Sequence, residues 1–206
     1  MRSLIKFTTI LLILITFYFN IQDAKALEVD KTDPYLLVES VTTNMFNRLK
    51  LDQELIANKP DHMQVVLEEE LMPYIDYKFA SFVVLGKHFK SVPREKLNKY
   101  VSVFRSHLIK TYSEALSYYT NQQVVFEPTT DYDEKKKAVT VKAIVTSSGS
   151  PDIKIAFKVR KDSKDNSWKA YDMVAEGISL LESKRNEFKA ILRQEGIDAV
   201  ISIMEK

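Results

Sequence analysis

Apolar residues in the first half of the chain recur at helical spacing. Leu37, Val41, Met45 and Leu49 fall every four residues and make one face of an amphipathic helix. Asp33-Pro34 ahead of them supplies a capping carboxylate and a residue pre-set for the first turn. Asn58-Lys59-Pro60-Asp61 punctuates the chain, and a second helix is predicted through Val65, Val66 and Leu71 until Pro73 breaks it. A third segment, Tyr74 to Leu85, carries Ile75, Phe79, Phe82 and Val83 and ends at Gly86, a left-handed cap. The longest helix opens at Ser91-Val92-Pro93 and runs to about Tyr119. Its apolar positions Leu97, Val101, Phe104, Leu108, Tyr112, Ala115 and Tyr119 follow in steps of three and four, which gives a rod of about 40 Å at 1.5 Å per residue.

Beyond Asn121 the period drops to two. Val139, Val141, Ala143 and Val145 alternate with Thr140, Lys142 and Thr146, with Ile144 breaking the polar side. After a turn at Ser147 to Pro151, Ile153, Ile155, Phe157 and Val159 alternate with Lys154, Ala156, Lys158 and Arg160. A turn over 162–167 and a strand from Trp168 to about Ala175 follow, and a shorter strand from Gln123 to Phe126 precedes them. Such a meander predicts a twisted antiparallel sheet with one apolar face. On the last strand, Trp168, Ala170, Asp172 and Val174 are expected opposite to Lys169, Tyr171, Met173 and Ala175. A helix from Ser179 to Gln194 and a final one after Gly196 close the chain. The predicted architecture is α+β: a strongly curved antiparallel sheet of about four strands (122–177) covered by helices over 33–119 and 179–205.

The amino terminus changes what the working protein is. Arg2 and Lys6 precede an apolar run from Phe7 to Phe19, and Ala24-Lys25-Ala26 is a small-x-small cleavage site, the layout of a secretory signal peptide. The run is shorter than the roughly 20 apolar residues a bilayer span needs. A leader over 1–26 and a mature domain over 27–206 are expected. The leader holds three cations (Arg2, Lys6, Lys25) and one anion (Asp23), so the formal charge of +2 for the whole chain falls to zero on its removal. A neutral exported domain is a poor partner for nucleic acid or for anionic lipid surfaces. With no cysteine in the chain, thiol catalysis, disulfides and Cys-ligated zinc are excluded.

Catalytic patterns are scarce. His62, His88 and His107 lie far apart without the i, i+4 pairing of a zinc helix, and Glu68-Glu69-Glu70 point in different directions on a helix. There is no Gly-x-Ser-x-Gly elbow, and four glycines build no phosphate loop. The conspicuous supply is aromatic: 10 Tyr and 11 Phe, all but four of them outside the leader. They serve either a packed core or the wall of an apolar pocket left between helices and sheet.

Several ordered stretches bear on that choice. Leu71-Met72-Pro73-Tyr74-Ile75-Asp76-Tyr77-Lys78 resembles a Leu-x-Pro-Tyr-Val-Asp-Phe-Lys signature. Leu85-Gly86-Lys87-His88-Phe89, Ser91-Val92-Pro93, Phe104-Arg105 and Thr111-Tyr112 follow in order, then Trp168 through Ser179, Asn186-Glu187-Phe188 and Leu192-Arg193 to Gly196-Ile197. Together these resemble the periplasmic phospholipid-binding component of the maintenance-of-lipid-asymmetry (Mla) pathway, the toluene-tolerance family. The resemblance implies a fold similar to the nuclear-transport-factor-like cone. It implies a soluble, monomeric periplasmic carrier with no catalytic residues, no metal and no cofactor other than its phospholipid cargo. Such a carrier exchanges glycerophospholipid between an outer-membrane lipoprotein–porin complex and an inner-membrane ABC transporter with its substrate-binding ring.

On this reading the pocket wall draws on Val141, Ala143, Val145, Ile155, Phe157, Val159, Tyr171 and Met173 from the sheet. The covering helices add Phe79, Phe82, Val83, Phe104, Leu108 and Tyr112. Core and cavity lining look alike in sequence. Two alternatives stand beside the carrier: an exported enzyme using the cone as a small-molecule site, with Asp172 and Glu176 as its only strand carboxylates, and a periplasmic adaptor that binds other proteins through an apolar groove.

Overall fold

The computed structural model describes residues 26–117, 122–129, 132–133 and 135–206. All but the last residue of the expected leader, and the expected helix end at Tyr119, lie outside these. Helix α1 (Pro34–Leu51) begins where the sequence places it, with the Asp33 carboxylate accepting from the N–H groups of Tyr35 and Leu36 at 2.8 and 2.9 Å. A short α2 (Gln53–Asn58) and α3 (His62–Glu70) follow. The expected third segment is split. Pro73 sits in a 3-10 turn, Met72–Tyr74, and α4 (Tyr77–Leu85) starts three residues later than its pattern suggests. The intervening backbone is used by the sheet: Ile75 bridges Ala170 in parallel, and the Asp76 N–H donates to the Ala170 carbonyl at 2.7 Å. Asp76 then caps α4 by accepting from the Phe79 N–H. Gly86, at φ +54, turns the chain into a 3-10 segment before the long α5 (Arg94–Leu116).

Strands β1 (Gln123–Phe126), β2 (Ala138–Ser147), β3 (Ser150–Lys161), β4 (Trp168–Ala175) and a two-residue β5 (Ile178–Ser179) form one open antiparallel sheet in chain order. The fifth strand is one more than expected. It is made by Glu176 and Gly177, both at positive φ, which form a two-residue hairpin loop. The apolar rows stay in register: Val124 faces Val145, Val141 faces Phe157, and Phe157 faces Met173.

A bulge in β4 overturns the predicted alternation. Val159 pairs with Ala170 while Lys158 pairs with Asp172, so Tyr171 has no partner on β3. One extra residue moves every later side chain to the other face. Trp168 and Ala170 therefore share the apolar face with Met173 and Ala175 instead of opposing them. Helix α6 (Leu180–Gln194), capped by Ser179, and α7 (Ile197–Met204) complete the chain.

Two packed regions bracket the middle of the molecule. In one, α4 to α7 bury Tyr100, Phe104, Phe188 and Val200 completely, at roughly 1.5–3 kcal/mol of transfer free energy for each large apolar side chain. In the other, Tyr35, Leu37, Val38 and Val41 of α1 pack onto Val141, Val159 and Trp168 of the sheet.

Candidate functional site: an apolar cavity between helices and sheet

Between these regions the helices and the sheet do not close on each other. They leave a cavity of about 460 Å³. An apolar cavity of about 150 Å³ takes one benzene, so this one has room for about 18 carbons. Helix α1 contributes Leu37, Val38, Val41, Met45 and Phe46, and the 3-10 turn with its following residue adds Tyr74 and Ile75. Helix α5 supplies Leu108, Tyr112, Ala115 and Leu116, one helical turn apart. The sheet supplies Val124, Val145, Ile153, Ile155, Phe157, Ala170, Met173 and Ala175, together with the bulged Tyr171. Of the lining residues, Ala115 and Ile153 are exposed to solvent, Ile153 at 45%.

Seven of the sequence candidates are on this wall: Leu108, Tyr112, Val145, Ile155, Phe157, Tyr171 and Met173. The other seven are off it. Phe104 is fully buried in the helical core, and Val83 packs against that core. Phe82 stacks on Phe89, with ring centroids 4.6 Å apart. Phe79 lies a layer behind the wall, edge-on to Tyr171 at 5.1 Å and covered by the Arg160 guanidinium at 4.2 Å. Val141 and Val159 form the floor with Trp168, and Ala143 is buried on the same sheet face with only a methyl group to offer. The sequence reading missed α1 as a wall, although its stripe of Leu37, Val41 and Met45 was visible.

Among the described residues that line the cavity, Asp172 alone is charged, and no Lys, Arg or His is present. Its side chain is 3% exposed. Oδ2 accepts from Lys158 Nζ at 2.9 Å and from Ser179 Oγ at 2.7 Å, and Oδ1 accepts from the Leu181 N–H at 3.2 Å. Three donors compensate a carboxylate that would otherwise be costly to bury. Hydrogen bonding from Asp172 in turn raises the Lys158 ammonium above its ordinary value. Burial, and then the Asp172 charge, push the Tyr112 phenol up to about 12, so it stays a neutral hydroxyl at physiological pH. Glu176, the second carboxylate of the enzyme alternative, is exposed at the hairpin tip, where it accepts from the Lys154 N–H. No group of three His, Asp or Glu side chains among the described residues is placed to hold a metal, and no described helix is long and apolar enough to cross a membrane.

An α+β fold with a cavity of this size walled by hydrocarbon defines a binding protein for apolar cargo. The family model for MlaC protein matches residues 39–206, and the chain belongs to the MlaC family. It is 30% identical over 201 residues to the intermembrane phospholipid transport system binding protein MlaC of Haemophilus influenzae, a match covering 98% of this chain and 92% of that one. It is 22% identical over 173 residues to the toluene tolerance protein ttg2D of Pseudomonas putida, over 84% of this chain and 79% of that one. The fold superposes with a TM-score of 0.75 on a phospholipid-binding protein from Ralstonia solanacearum, solved in complex with a phospholipid. That pair is 22% identical and covers 84% of this chain and 95% of the other.

Proposed function

We propose that this protein is a phospholipid carrier: it encloses acyl chain in the cavity and leaves the phosphate head group outside. The observation that carries the reading is a hydrocarbon-walled space of about 460 Å³ with no cation among the described residues of its wall. Moving a methylene out of water is worth about 0.8 kcal/mol, so about 18 enclosed carbons represent about 14 kcal/mol of gross transfer free energy. Apolar walls impose little selection on the head group. The name of the Haemophilus relative and the phospholipid in the Ralstonia structure support the same cargo.

The cargo reading extends to the cell. The leader over 1–26 is cleaved after Ala26, and the domain over 27–206 works in the periplasm as a monomer. There it passes glycerophospholipid between an outer-membrane lipoprotein–porin complex and an inner-membrane ABC transporter with its substrate-binding ring, and it carries out no reaction on its cargo. The test is transfer of a fluorescent phospholipid from donor to acceptor vesicles by the purified domain. Transfer proportional to protein concentration is expected. A folded protein that neither takes lipid from vesicles nor transfers it would overturn the proposal.

A further inference from the structure

The resting cavity holds about 18 carbons by the benzene comparison. A diacyl lipid with two chains of about 15 methylenes needs more, so some of the wall yields when cargo enters. Where it does not yield is written in the hydrogen bonds of Asp172. Its three donors come from three separate elements: Lys158 from β3, Ser179 from β5, and Leu181 from the first turn of α6. Ser179 Oγ also accepts from the Glu182 N–H at 3.1 Å, so one relay runs from the α6 backbone through Ser179 to Asp172. The chain between the two ends of this tie is short. Two residues at positive φ and two residues of strand lead from β4 into α6, and both Asp172 and Leu181 face the cavity. Parting β4 from α6 would break two hydrogen bonds to a nearly inaccessible carboxylate and leave it under-paired. At the rim the facing groups Leu116, Val124 and Ile153 are apolar, and such contacts are non-directional and slide at small cost.

We infer that Asp172 is a positioning residue that clamps the β4–α6 seam as the fixed wall of the cavity, and so sets which acyl-chain lengths the carrier accepts. This rests on the carrier reading above. The role assigned to Asp172 is positional, with both its oxygens taken up by Lys158, Ser179 and Leu181.

The test uses the mature chain with Asp172→Asn and, as a second variant that keeps the carboxylate, Ser179→Ala. Two readouts are taken. The first is amide hydrogen exchange at Leu181 and Glu182. The second is the chain-length profile of lipid bound after incubation with vesicles of dimyristoyl-, dipalmitoyl- and distearoyl-phosphatidylglycerol in equal amounts, read by native mass spectrometry. Loss of a hydrogen bond to a charged group corresponds to about a tenfold change or more. Exchange at Leu181 and Glu182 should therefore rise about tenfold in Asp172→Asn, and its bound profile should flatten relative to wild type. Ser179→Ala, which also takes away the acceptor of the Glu182 N–H, should raise exchange at Leu181 and flatten the profile in the same direction by less.

Val66→Ala, which is destabilised in the α1–α3 cluster with Leu49 and Met63 away from the seam, serves as the control and should leave the profile unchanged. If Asp172→Asn keeps the wild-type profile, or if the control flattens it equally, the clamp is refuted and only a stabilising role remains. Should Asp172→Asn fail to fold, an unchanged chain-length profile in Ser179→Ala refutes it instead. A wild-type protein that binds none of the three lipids refutes the carrier reading and the chain-length role with it, whereas a wild-type protein that binds them with a profile Asp172→Asn does not alter refutes the clamp alone.

Discussion

Substituting Ala175 by tryptophan puts the cavity under direct test. Ala175 pairs with Ile155, shares the apolar face with Phe157 and Met173, and lines the cavity wall near its open end. Tryptophan adds nine side-chain atoms to that methyl, about half of the 18 or so carbons the space holds. Displacing about nine carbons of cargo removes about 7 kcal/mol of gross transfer free energy at 0.8 kcal/mol per methylene. If chain bending at the rim recovers half of that, more than 3 kcal/mol remains and affinity falls at least about 100-fold. The ring enters existing space, so the overpacking cost of about 1–3 kcal/mol seen in filled cores does not apply, and the thermal midpoint should hold or rise. The assay is fluorescent-lipid transfer alongside thermal unfolding, with Val125→Trp as control because Val125 is 55% exposed on the opposite face of the edge strand. A blue-shifted emission from the new ring, beyond that of Trp168, reports that it sits in the cavity. Binding within about threefold of wild type with the ring so placed would refute the reasoning.

Other substitutions separate wall from core and test the ties between layers. Phe104→Ala, in a fully buried site, should cost about 3–5 kcal/mol in denaturant unfolding, while Phe157→Ala on the wall should cost less stability and more lipid binding. Asp76→Ala removes both the α4 cap and the ion pair to Arg160 at 2.5 Å and should cost about 2 kcal/mol. Gly86→Ala should cost about 1 kcal/mol, since the residue sits at φ +54 and a methyl group would meet the Arg185 guanidinium at 3.0 Å. For pH, His107 is half-buried with an inaccessible, unpartnered Nε2, and burial followed by the Lys184 charge holds its pKa below the ordinary value. The unfolded chain therefore binds the proton more readily. The stability from a neutral His107 is complete above about pH 6.5 and is lost as pH falls through the window below it. His107→Gln should flatten the denaturant midpoint between neutral and mildly acidic buffer, and an unchanged slope would contradict that assignment.

Helix and strand identities were legible because burial imposes periods of four and two along the chain, and Asp33 and Ser179 stand at starts that the structure keeps. The late start of α4 was not legible, because it follows from a backbone bond between Asp76 and Ala170, far apart in sequence. Nor was the β4 bulge. The run from Trp168 to Ala175 reads as an unbroken alternation, and only pairing with Lys158 and Val159 reveals the extra residue. The wall was half legible for a related reason. Phe104 and Leu108 stand on one helix stripe, yet Phe104 meets Phe188 and Val200 while Leu108, one turn on, meets empty space. Local pattern says that a side chain is sheltered from water; only the third dimension says whether another atom fills the space beside it.

The central claim is that hydrocarbon occupies the space walled by Leu37, Met45, Tyr112, Phe157 and Met173. Native mass spectrometry of the domain, secreted to the periplasm with its own leader and purified without detergent, addresses this most directly. The account predicts a folded protein carrying the added mass of one phospholipid, which extraction releases and Ala175→Trp largely removes. A wild-type protein at its bare mass, which stays bare after exposure to phospholipid vesicles, would contradict it.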